Sequence, residues 1–142
     1  MPAVDIASRV RLPLLLLRIG VFIVMLMWTL DKFARPGHAG GVFKKFYGID
    51  LGAPTVFYAL GALELVLLVL FVGGIAKRFS YGAVLLLHAV STFSSYRQYL
   101  QPFDNLLFFA AWPMLAACVA LYLLRDLDTY TVASFTRRSS TS

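Results

Sequence analysis

Four long apolar runs, at 12–30, 53–76, 79–95 and 106–124, constrain this chain more than any other feature. At about 1.5 Å per residue each can cross a hydrocarbon core of about 30 Å, the third with help from its polar ends. Lipid offers no partners to backbone N–H and C=O groups, so isolated apolar runs of this length fold as helices. The expected fold is all-α: a polytopic membrane protein, an antiparallel bundle of four transmembrane helices. Composition agrees. Residues of the AVILMFWYC set make up 60% of the 142 and charged residues only 14%, with a mean hydropathy of +0.78. A soluble domain of this size could not bury that much apolar surface.

The spans consume nearly the whole sequence. Residues 1–11 form a short N-terminal segment, 12–124 the membrane domain, and 125–142 a polar tail. The first run ends in Trp28, Asp31 and Lys32 rather than a small-residue cleavage site, so it reads as a retained signal anchor. Residues 134–142 read as polar, basic and disordered.

The formal charge of +6 would suggest nucleic acid in a soluble protein. Here the basic residues gather at span ends, where they orient helices, and no nucleic-acid partner is expected. Arg9, Arg11, Lys77, Arg78, Arg125, Arg137 and Arg138 fall on one side; Lys32, Arg35, Lys44, Lys45 and Arg97 fall on the other. This bias places both termini in the cytoplasm. On the outer side, Pro36, Gly37, Gly40 and Gly41 break helix in the loop at 31–52. Val42, Phe43, Phe46 and Tyr47 then share a helical face, with Lys44 and Lys45 opposite. That suits a loop capping the bundle mouth, or an interfacial helix.

Ionisable residues inside the spans are costly and call for partners. Arg18, Glu64 and His88 are the three, and counting from the cytoplasmic span ends puts them about 10–15 Å deep. Arg18 and Glu64, on sequential antiparallel helices, are the expected ion pair, either a register lock or an anion clamp or proton relay. On the third span His88, Ser91, Thr92, Ser95, Gln98 and Tyr99 recur on one face. Such a stripe is more often interhelical glue than a polar path or pocket lining. His88 has no second ligand at metal spacing, so no metal is expected. Cys118, the sole cysteine, excludes an internal disulfide and reads as an apolar filler. Trp112-Pro113 predicts a mid-span kink.

Two stretches carry a resemblance. LLLRIGVFIVMLMWTLDKFARPG, residues 15–37, resembles the first helix of the DoxX/DoxD family of small membrane proteins, and GALELVLLVLFVGGIAKRFSYGA, residues 61–83, resembles its second helix and the following turn. Arg18, Glu64 and the outer-loop pair Asp31 and Lys32 match the family pattern by position. Trp28 stands where a small residue is usual, and the cysteines of the related dithiol-oxidising enzymes are missing. The resemblance implies a four-helix subunit or assembly partner of a quinone-linked respiratory or sulfur/oxidative-stress redox complex, in the bacterial inner (plasma) membrane. It implies no catalysis by the chain alone and no cofactor within it, with a quinone or lipid bound at an interface. Its partners would be the bilayer and other membrane subunits or further copies of itself. The competing expectation is a permeation or transport protein using the polar face of the third helix.

Overall fold

The structure, a computed structural model, describes residues 5–48 and 54–134. Helices dominate the described residues, with no strand among them. Three helices are long and apolar enough to cross a membrane: Ile6–Ala34, Thr55–Val72 and Leu106–Leu123. Residues 1–4, residues 135–142 of the tail with nearly all of the stretch expected to be disordered, and the start of the second expected span lie outside the described residues.

Helix α1 (Ile6–Ala34) begins well before the expected start at residue 12. Asp5 caps it by accepting the Ser8 amide at 3.3 Å, satisfying one of the donors a helix start leaves over. It stops ahead of Pro36, whose ring disfavours helical geometry in Arg35. The same proline opens α2 (Pro36–Val42), and a single π turn, Phe43–Tyr47, continues to Gly48. Gly48 ends it at φ +67, a left-handed conformation that suits glycine.

Helix α3 (Pro54–Val72) is joined to α4 (Lys77–Ser94) by a tight turn in which Gly74 takes φ +66. After the short α5 (Tyr96–Tyr99), Leu106–Ala110 forms a 3-10 segment that passes into α6 (Ala111–Leu123). The expected kink at Pro113 is therefore replaced by a change of helix type. Pro113 falls in the first turn of α6, where its missing N–H breaks no helical bond.

The packing order is α1 on α3, α3 on α4, α4 on α6 and α6 back on α1. Leu14, Val21 and Met25 of α1, Leu68 and Phe71 of α3, Tyr81 and Val84 of α4, and Cys118 and Leu121 of α6 form the core. These positions fill the half of the molecule nearest the α3–α4 turn. Outward, Leu63, Val66, Leu86, Phe93 and Leu123 are exposed apolar side chains. Beside Tyr81 and Val84, helix α4 buries the polar Ser80, His88 and Thr92, whereas Phe79, Leu86 and Phe93 are about two-thirds exposed, at 65, 65 and 61%. Water favours the opposite arrangement.

Candidate functional site

The expected Arg18–Glu64 pair does not form. Arg18 instead pairs with Asp128, with Nη1 2.7 Å from Oδ2 and the side chains 2% and 0% exposed. The same Nη1 donates to Tyr81 Oη at 3.1 Å, and Nη2 donates to the Tyr130 carbonyl. Tyr81 in turn donates to Asp128 Oδ2 at 2.5 Å. The reason is depth. Because α1 starts at Ile6, Arg18 sits level with the α3–α4 turn, and a Cβ at Gly74 would lie 3.3 Å from its Nη1. Glu64 lies ten residues up α3 from Gly74, about 15 Å away along the axis.

The segment after α6 therefore works as a strap across this end of the molecule. Lys77 Nζ donates to the carbonyls of Arg125 at 3.0 Å and Asp128 at 2.5 Å. Val132 N donates to Gly73 O at 3.0 Å. Burial pushes the Lys77 ammonium below the ordinary lysine range, and the Asp128 carboxylate partly opposes this. Sequence reasoning missed this site because Asp128 lies past the last apolar run and counts for little in orientation. The available signal was the imbalance between cations and acids at this end.

Glu64 faces Lys32 instead. Lys32 Nζ lies 3.1 Å from Glu64 Oε2, and Thr29 Oγ1 lies 2.9 Å from the same oxygen. Oε1 takes no part in either contact. Next to Lys32 in the chain, Asp31 accepts from Arg35 Nε at 2.8 Å and sits 2.6 Å from His38 Nδ1.

His88 joins neither cluster. Its Nε2 donates to the Ala111 carbonyl at 3.0 Å, tying α4 to α6, and lies 3.2 Å from Thr92 Oγ1. Trp28 stacks on the ring at 6.1 Å between centroids. Nδ1 is buried without a partner. The hydroxyl stripe bonds mostly to its own helix, in contrast to interhelical glue: Thr92 donates to His88 O at 2.8 Å and Ser95 to Ser91 O at 3.1 Å. Tyr99 reaches back to Thr92 O at 2.9 Å, and Gln98 Oε1 is buried without a partner.

A cavity of about 1470 Å³ lies between α1 on one side and α4 and α6 on the other. Leu16, Val24, Leu87 and Met114 are among its apolar walls; His88, Ser91, Ser95 and Tyr99 also line it, and Val42, Phe43, Phe46 and Tyr47 close one side. Asp31, Lys32, Arg35, His38 and Glu64 gather at the α2 end. Leu16, Met27 and Leu107 line the cavity and are also exposed at the surface, so it is a cleft rather than a sealed void. No family model, curated protein or solved structure matches this chain.

Proposed function

We propose that this chain is a small integral membrane subunit, or assembly partner, of a membrane redox complex, and that its cavity holds a quinone-like or lipid molecule at the interface with that complex. The observation that carries the reading is the cleft itself: apolar for most of its length, polar at one end, and continuous with a surface of exposed leucine and methionine side chains. Ligands of compact size fill about 300–1,000 Å³, and the larger volume here suits a head with a long tail. The DoxX-like runs at 15–37 and 61–83 support the redox setting, and they contribute Lys32 and Glu64 to the polar end of the cleft.

In this reading all four long helices cross the bilayer as an antiparallel bundle. The outward apolar face of α4 supports its membership despite its polar interior. The basic residues near the strap, Arg9, Arg11, Lys77, Arg78 and Arg125, support a cytoplasmic setting for that end and both termini, in a bacterial inner membrane.

Native mass spectrometry after extraction in mild detergent tests the subunit reading. Stoichiometric protein partners and a co-extracted quinone are the expected result. A second reading, permeation, draws on Ser91, Ser95 and Tyr99 lining the cleft. If the chain purifies alone as a stable fold and conducts solute in liposomes, with His88→Ala abolishing flux, the subunit reading fails and permeation replaces it.

A further inference from the structure

The charges at the polar end of the cleft are arranged in a way that selects a head group. Asp31 and Glu64 supply two carboxylates, Lys32 and Arg35 supply two permanent cations, and His38 adds an imidazole. Every one of these groups is already matched: Lys32 with Glu64 at 3.1 Å, and Asp31 with both Arg35 at 2.8 Å and His38 Nδ1 at 2.6 Å. A phosphate or carboxylate head would find no spare cation here, and an ammonium head no spare anion. Desolvating an ionic head in this place would go uncompensated.

Yet the pair keeps hydrogen-bonding capacity. An ammonium has three donors, and Lys32 directs one at Glu64 Oε2. Both Glu64 contacts fall on Oε2, which leaves Oε1 outside them. A donor and a carboxylate acceptor thus lie side by side at a partly accessible place, with the Lys32 and Glu64 side chains 11% and 22% exposed. A hydroxyl group matches both, accepting from Nζ and donating to the carboxylate. Away from this pair the cleft turns apolar along α1 as far as Leu16, about 24 Å of helix from Lys32. Gly20 lines that stretch, and a Cβ there would meet nothing within 4 Å. This is open space for a chain.

The geometry points to a binding site for an uncharged, hydroxyl-headed amphipath with one long tail, its head on Lys32 and Glu64 and its tail running past Gly20 toward Leu16. This deepens the proposed function by naming what the same cleft accepts.

The test uses the two tryptophans. Trp28 lines the cleft, whereas Trp112 lies on a separate outer face, so Trp112→Phe leaves Trp28 as the reporter. The full chain in nanodiscs is titrated with octadecanol, octadecanoate and an octadecyl trimethylammonium salt, each brominated at mid-chain to quench Trp28. Saturable quenching at least tenfold tighter for the alcohol than for either ion is expected. Glu64→Gln leaves the Lys32 cation unmatched, so the preference should turn to the carboxylate. Gly20→Leu should weaken all three probes tenfold or more while the melting temperature stays unchanged, which keeps the test open if Glu64→Gln fails to fold. Equal, unsaturable quenching by all three would mark the cleft as ordinary lipid-facing surface and overturn the proposal. So would an ionic preference in the unsubstituted cleft. Alcohol binding without protein partners would sink the subunit reading alone; partners without a head-group preference would sink this one alone.

Discussion

Asp128→Asn removes the counter-ion of a fully buried guanidinium while nearly keeping the side-chain shape. Arg18 is 2% exposed, its Nε is already without a partner, and Asp128 is 0% exposed. Water therefore cannot take over from the carboxylate. Breaking a buried ion pair from one side costs about 3–5 kcal/mol. Asparagine can still accept from Tyr81, so the lower end applies, about 3 kcal/mol. For a chain of this length that corresponds to a fall of roughly 6–12 °C in melting temperature. The assay is tryptophan fluorescence during heating in a mild detergent. The companion variant Arg18→Met/Asp128→Leu removes both charges and should recover most of the loss, because an apolar pair of similar volume is often neutral or better. If Asp128→Asn melts with the unsubstituted protein, or the double variant melts lower than the single, the strap is not held by its ion pair.

Glu64→Gln should cost less, about 1 kcal/mol, because the Lys32–Glu64 pair is partly accessible, with Glu64 22% exposed, whereas Arg18–Asp128 is not; the same melting assay compares it with Asp128→Asn, and a larger loss than that variant shows would refute this ranking. Gly74→Ala should destabilise by about 2 kcal/mol, since a Cβ would sit 2.4 Å from Thr131 Cγ2 at a residue with φ +66; unchanged denaturant unfolding would argue against the docked strap. The depressed Lys77 value has a definite sign. The folded state gives up its proton at lower pH than the unfolded chain, so stability should rise as pH climbs from the depressed value toward 10.5. Lys77→Met should flatten that rise in melting temperature between neutral and alkaline pH, and parallel curves for the two proteins would refute it.

The helical, membrane-compatible character of the chain was legible because hydropathy and span length act locally, residue by residue. The partners of the buried charges were not, because they depend on where helices start. Counting depth from Arg11 puts Arg18 well inside the layer, but α1 starts at Ile6, capped by Asp5, rather than at residue 12, and Arg18 is level with the α3–α4 turn. Asp128 lies beyond the hydrophobic pattern, and only the backward fold of the strap brings it to Arg18. The stripe from His88 to Tyr99 was readable as one face of α4. The direction of its hydroxyls, back to their own helix carbonyls, follows from the helix interior geometry of serine and threonine. The cleft itself had no sequence signature, since it arises from the spacing between α1 and α4 and not from any one helix.

The strap also sets an order of events during synthesis. Tyr130, whose carbonyl receives Arg18, lies 112 residues further along, so at about 5–20 residues per second the guanidinium is made roughly 5–20 s before its acceptor. Throughout that interval the nascent first helix carries a cation whose native counter-ion, Asp128, has not yet been made. Closure of this end therefore comes after all four long helices have been made, and a ribosome stalled shortly before Asp128 would hold a product with its end still unlatched.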